Sequence, residues 1–230
     1  MGQHVIPGNP PVAISLHRSA RARRLSLRVS GLDGAVTLTV PRGVSEAEAL
    51  GFARSREDWL RRTLAAQPDR VEVAPGVALP VEGEIRMIVP GAGRQVRIDG
   101  AQIHVPGHGE TLAPRLRAWL KARARDRLAA ASDIHAARLG LGYSRLSLRD
   151  TRSRWGSCSA RGGLSYSWRL ILAPPEVLDY VAAHEVAHLA EMNHSPAFWA
   201  VVARLRPDYA APRAWLRREG AGLHRYRFGD

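Results

Sequence analysis

The chain has 230 residues, 45% hydrophobic and 24% charged, enough apolar material for one large core or two smaller ones; this excludes the disordered class. Cys158 is the single cysteine, which excludes intrachain disulfides and thiolate clusters, so a tightly held transition metal must use histidine and carboxylate ligands. The formal net charge of +13, nearly all arginine, favours acidic partners, among them non-specific nucleic acid and anionic surfaces.

Residues 12–18, 24–30 and 35–41 alternate apolar and polar and read as strands. Asp33-Gly34 between the last two is a hairpin signal. Ser45 with Glu48 three residues later forms a capping box, and the helix it opens is expected to run to about Gln67 and stop at Pro68. From Val71 to Pro106 short strands are expected, broken at Pro75-Gly76, Pro90-Gly91 and Asp99-Gly100. Pro106-Gly107-His108-Gly109 reads as a linker. The expected division is therefore a β-rich module with one helix over 1–108 and a second domain over 109–230.

The second domain opens on a long helix over 112–139, with Leu116, Leu120, Ala124 and Leu128 along one stripe. A short strand over 145–149, a loop over 154–159 and an alternating strand over 163–171 follow. Pro174-Pro175-Glu176 starts a helix, because proline is tolerated in a first turn. Helices over about 196–205 and 212–220 complete an α+β architecture. No apolar run reaches the length of a membrane span and no basic-then-apolar leader opens the chain, so the expected location is the cytoplasm. The sequence carries no signal of oligomeric state.

The helix after Pro175 contains His184-Glu185-Val186-Ala187-His188. Residues four apart share one helix face, so both imidazoles project from the same side, one turn apart, close enough to share a metal. Neutral imidazole suits Zn²⁺, and catalytic zinc takes three protein ligands plus a water. Glu185 lies on the flank of that face, where a carboxylate reaches the water without becoming a ligand and serves as general base. Two unrelated histidines on a core-facing helix have the same spacing. The small neighbours Ala182, Ala183 and Ala187 and a third histidine close by favour the metal site. For the third ligand, His194, Glu191 and Glu219 are candidates. His194 is favoured, since Asn193 and Ser195 on either side read as a helix stop and a new N-cap.

Four stretches carry a resemblance: Arg154-Trp155-Gly156-Ser157-Cys158-Ser159, residues 168–175, residues 178–189, and Asn193-His194-Ser195-Pro196-Ala197-Phe198-Trp199. They resemble the YgjP-like bacterial metallopeptidases, relatives of the SprT-like and WLM-domain proteases, and residues 18–30 are similar to the opening of that family. The resemblance implies a zincin-like C-terminal domain, a peptide or protein substrate, zinc on His184, His188 and His194, and Glu185 as the catalytic glutamate. The family usually has leucine after this glutamate; here it is Val186, which leaves the ligands intact.

Other residues have competing readings. Trp155, Trp168, Phe198 and Trp199 read as core aromatics, and Cys158 as a small loop residue. Tyr166, Arg169, Arg152 and Arg154 are candidates for stabilising charge on a carbonyl oxygen, against ordinary sheet or surface roles. The strand over 164–171 could take a substrate by strand addition, if it is a sheet edge. Asp179 and Asp208 are candidates for orienting the ligand imidazoles. His4, His17, His104, His108, His135 and His224 have no ligand spacing. The alternative function is a nucleic-acid-associated protein, with a metal that is partly structural or a protease that acts on DNA-bound proteins. Glu185 discriminates, since a structural zinc site gains nothing from it.

Overall fold

The alternating segments near the start of the chain become a sheet whose inward side chains meet two short helices. The computed structural model describes residues 3–31, 34–66, 69–151 and 153–229. Strands β1 (Gln3–Ile6), β2 (Val12–Ser19), β3 (Ser26–Val29) and β4 (Val36–Pro41) pair in the order β1-β2-β4-β3, with β2 and β4 parallel. Ile14, Leu16, Val36, Leu38 and Val40 point inward at the two-residue period of a strand. They share a core with Ala49, Ala53 and Leu60.

Where one helix was expected there are two, α1 (Glu46–Arg54) and α2 (Glu57–Ala65). The Glu48 amide donates to Ser45 Oγ at 3.2 Å, the cap read from the sequence. The break follows from Ser55, whose hydroxyl donates to the Phe52 carbonyl at 2.8 Å, a local bond that competes with helix continuation. Asp33 of the hairpin signal and Pro68 of the helix stop lie outside the described residues, while β3 and β4 do pair antiparallel.

The compact units are Met1–Asp69 and Arg70–Asp230. The second contains β5 (Val71–Glu72), β6 (Ala78–Val81), β7 (Glu84–Gly91), β8 (Arg97–Asp99) and β9 (Gln102–Pro106), of which the last four form a sheet in the order β6-β7-β9-β8. Helix α3 (Leu112–Leu139) follows, buries Leu116, Leu120, Ala124 and Leu128 as expected, and ends at Gly140 in the left-handed conformation, φ +67°. The expected boundary at 108 thus falls inside a unit. Leu79, Val81, Ile88, Ile103 and Val105 share one core with the α3 stripe. The Pro-Gly-His-Gly stretch is a bonded turn, with Thr111 Oγ1 donating to the His108 carbonyl at 2.8 Å and Arg115 to the Pro106 carbonyl at 2.9 Å.

Strands β10 (Arg145–Arg149), β11 (Gly156–Cys158) and β12 (Gly163–Ser167) form a sheet in the order β10-β12-β11, with β12 parallel to β10 and antiparallel to β11. The strand expected over 163–171 stops at Ser167, and the buried Trp168–Leu172 stretch is a 3-10 turn. Helices α4 (Pro175–Ala187), α5 (Pro196–Leu205) and α6 (Ala210–Glu219) follow, and β13 (Tyr226–Arg227) returns to pair with β5. This is the α+β fold read from the sequence, with the histidine motif on a helix. Among the described residues no helix is long and apolar enough to cross a membrane.

Candidate metal centre

Helix α4 is central to the second unit. Val177, Leu178, Val181, Ala182, Ala183, Val186 and Ala187 are buried, which leaves the histidine-bearing strip to face a cleft. His184 sits in the last turn and His188 is the C-cap residue. The chain then turns back, and Ser195 caps α5 by accepting from the Phe198 amide at 3.3 Å. Cap and turn bring His194 to the other two, so one ligand atom from each of the three histidines lies within 4.8 Å of the others.

His194 Nε2 is 3.1 Å from His184 Nε2. His188 Nδ1 donates a hydrogen bond to the Glu191 carbonyl at 2.9 Å, which leaves the Nε2 lone pair free to ligate. Phe198 stands behind all three rings, stacked on His188 at 4.4 Å and edge-on to His184 at 4.9 Å and His194 at 4.7 Å. Trp199 packs beside His184 and His194, with Tyr209 stacked on it and the Arg213 guanidinium 4.2 Å from its ring centroid.

Burial, then the imidazoles of His188 and His194 and the Arg213 charge, hold His184 down to about 3. Burial and His194 likewise lower His188, against the pull of the Glu191 carbonyl. Both are neutral at physiological pH, the form that ligates. Among the described residues three imidazole nitrogens converge here, without sulfur or carboxylate, a donor set that fits a divalent metal with open coordination positions.

Glu185 is buried beside the cluster. Burial pushes its carboxyl up to about 8, with the Arg154 guanidinium pulling the other way. It lies directly against the backbone of β11. A Cβ at Gly156 would stand 2.4 Å from Glu185 Oε1, 2.5 Å from Cγ and 2.7 Å from Cδ, so the close approach requires glycine. The cleft in front has a volume of about 430 Å³. Its lining includes β11 with Arg154 and Trp155, and Tyr180, Met192 and Leu216.

A family model of the YgjP-like metallopeptidase domain matches residues 23–219. The chain belongs to the YgjP-like metallopeptidase family. It is a metallopeptidase, a hydrolase of peptide bonds. No curated protein matches it. Among solved structures, the metallopeptidase zymogen abylysin of Pyrococcus abyssi is similar at 24% identity over 42% of this chain and 92% of that one, with a TM-score of 0.34.

Several residues singled out in the sequence lie elsewhere in this YgjP-like chain. Tyr166 is in the core, its hydroxyl 3.0 Å from Ser132 Oγ and its ionisation pushed up by burial. Arg169 is buried and committed. Its Nε donates to Asp150 Oδ1 at 2.7 Å, and Nη1 donates to the carbonyls of Leu223 and Tyr226 at 3.3 and 3.0 Å. Burial raises the Asp150 carboxyl, but the hydrogen bond and charge of Arg169 outweigh it and hold it low. Of the four charge-stabilising candidates, Arg154 lines the cleft, and Arg152 lies outside the described residues.

Asp179 and Asp208 do not touch the ligand rings. Asp179 pairs with His135 Nε2 at 2.9 Å and with Arg206, and Asp208 with Arg206 at 3.2 Å. Glu191 offers its carbonyl rather than its carboxylate, and Glu219 is exposed beside Arg218 at 2.7 Å. Strand β12 is the middle strand of its sheet, so strand addition there is excluded and β11 holds the edge beside the cleft. Phe198 and Trp168 are core aromatics as expected, whereas Trp155 also lines the cleft and packs on His224 at 5.0 Å.

The sequence reading missed Tyr180, Gly156, Met192 and Leu216. Tyr180 was open to detection, one turn before His184 on the same helix face. Gly156 had the weaker signal of a glycine at the start of a strand. Leu216 had none, since only the fold brings α6 to the cleft.

Proposed function

We propose that this chain hydrolyses peptide bonds in peptides or proteins with a zinc ion held by His184, His188 and His194 and with Glu185 as general base. The observation that supports this best is the convergence of three imidazole nitrogens, within 4.8 Å of one another, on the wall of an open cleft that Glu185 also lines. A structural zinc takes four protein ligands in a closed site, and among the described residues three gather here.

Zinc bound there supplies Lewis acidity, which polarises a carbonyl and acidifies water. The protein's own groups do the rest. The Glu191 carbonyl fixes the His188 ring by its Nδ1 proton, and Phe198 closes the back of the cluster to water. With a cation held by the adjacent imidazoles, Glu185 would stand as the carboxylate. Its Oε accepts the proton of the attacking water and returns it to the nitrogen of the departing amine. Arg154, on the cleft rim, is the candidate for neutralising charge that develops on the carbonyl oxygen. The edge of β11 supports binding of the substrate as an added strand.

Metal analysis of the purified full chain, together with cleavage of a peptide library, tests this reading. The expected result is stoichiometric zinc, and cleavage that a chelator abolishes and added zinc restores. Cleavage that persists in chelator sinks it.

The charge of +13 supports a second partner, nucleic acid bound without sequence preference. Fluorescence anisotropy of labelled duplex and single-stranded DNA is expected to show binding that weakens steeply with salt. No binding at micromolar protein would assign the charge to a solvated surface. The same reading puts the enzyme in the cytoplasm, where a chain with one cysteine needs no oxidising conditions.

A further inference from the structure

The outward face of the sheet formed by β10, β12 and β11 carries a second concavity, a groove of about 530 Å³. Ser147 on β10 stands opposite Ser165 on β12, and Ser165 opposite Ser157 on β11, so three serines cross the sheet in one row. Arg145 and Arg149 lie two residues either side of Ser147 and share its face by the pleat of the strand. Arg154 lines the same groove, and no aspartate or glutamate is among the described residues that line it. All three arginines are exposed, and among the described residues neither Arg145 nor Arg149 makes an ion pair, while the charge of Arg154 also acts on the Glu185 carboxyl.

The groove is continuous with the cleft. Arg154, Gly156, Ser157 and Cys158 line both, so one leads into the other around the free edge of β11. An extended peptide lying along that edge turns alternate side chains toward the histidines and toward the serine–arginine face.

We infer that this groove takes acidic side chains of the substrate, so that the enzyme selects peptides with aspartate or glutamate near the scissile bond. The inference rests on the peptidase reading above. The donors suit the ligand: guanidinium forks and hydroxyls donate to carboxylate oxygens, and nothing in the groove repels them. A nucleic-acid backbone is also anionic, but single-stranded nucleic acid is held by stacking its bases on aromatic side chains. No aromatic residue is among the described residues that line the groove.

The test compares a fluorogenic peptide carrying glutamates around the scissile bond with its glutamine twin. Exposed charge pairs contribute a few-fold each, so wild type is expected to favour the acidic peptide by about tenfold in kcat/KM, chiefly through KM. Added salt shrinks that preference. In Arg145→Ala/Arg149→Ala, a doubly substituted surface variant, the two peptides are expected to come within about twofold of each other. Equal cleavage by wild type, or a preference that survives in the double variant, overturns the inference.

Anisotropy with labelled, uncleaved versions of both peptides separates this from failure of the peptidase reading. If neither peptide is cleaved but the acidic one binds more tightly and loses that advantage in the double variant, the groove stands and the peptidase reading falls. Equal binding of the twins overturns the groove. So does a double variant that loses affinity for a single-stranded oligonucleotide while it keeps its preference for the acidic peptide.

Discussion

Glu185→Gln is expected to keep its metal and its thermal stability and to lose hydrolysis by about a hundredfold or more, the scale typical of general-base loss. Glutamine has nearly the shape of glutamate and still forms hydrogen bonds, so the buried position against β11 is filled as before. What it lacks is the ability to take a proton from the attacking water. The measurement is kcat/KM on a peptide that wild type cleaves and a chelator protects, with metal content determined on the same samples. Wild-type cleavage by Glu185→Gln would remove Glu185 as the base. Loss of metal or unfolding in that variant would instead assign it a structural part and favour the non-enzymatic alternative.

The same carboxylate is reachable from the opposite strand. In Gly156→Ala the new methyl meets not only the terminal Oε1 of Glu185 but also Cγ, at 2.5 Å, so the side chain stem must shift. Activity is expected to fall with metal retained, because the three atoms nearest the new methyl all belong to Glu185 and none to a histidine ring.

His194→Ala is expected to lose most of the bound metal, while Glu191→Ala and Glu219→Ala keep it. Removing His194 leaves two nitrogens, one turn apart on α4, where catalytic zinc is held by three protein ligands. Glu191 contributes its backbone carbonyl to His188, which alanine retains. Glu219 is exposed beside Arg218 and stands apart from the cluster. Metal stoichiometry after dialysis, with competition against a chromophoric chelator, distinguishes the three variants. Near-stoichiometric metal in His194→Ala sinks the assignment of the third ligand.

The sequence by itself determined the features whose geometry is local. Helical periodicity alone puts His184 and His188 on one face with Glu185 at its flank. The serine after His194 announced the new helix cap that turns that residue back toward them. The buried stripe of α3 and the cap at Ser45 were legible for the same reason, since each depends on residues within a turn or two.

Tertiary structure decided everything that depends on pairing across the chain. An alternating run such as 163–167 looks the same whether it becomes an edge or a middle strand, and only the folded sheet puts β12 in the middle and β11 at the edge beside the cleft. The Pro-Gly-His-Gly turn has the composition of a linker, yet the strands before it and α3 after it bury their apolar faces in one core, and the units divide at 69. Arg169 and Tyr166 have side chains able to stabilise charge, but Asp150, the C-terminal carbonyls and Ser132 engage them away from the cleft. Residue type says what a side chain can do; burial and partners, set by contacts far apart in sequence, decide which of those capacities remains free.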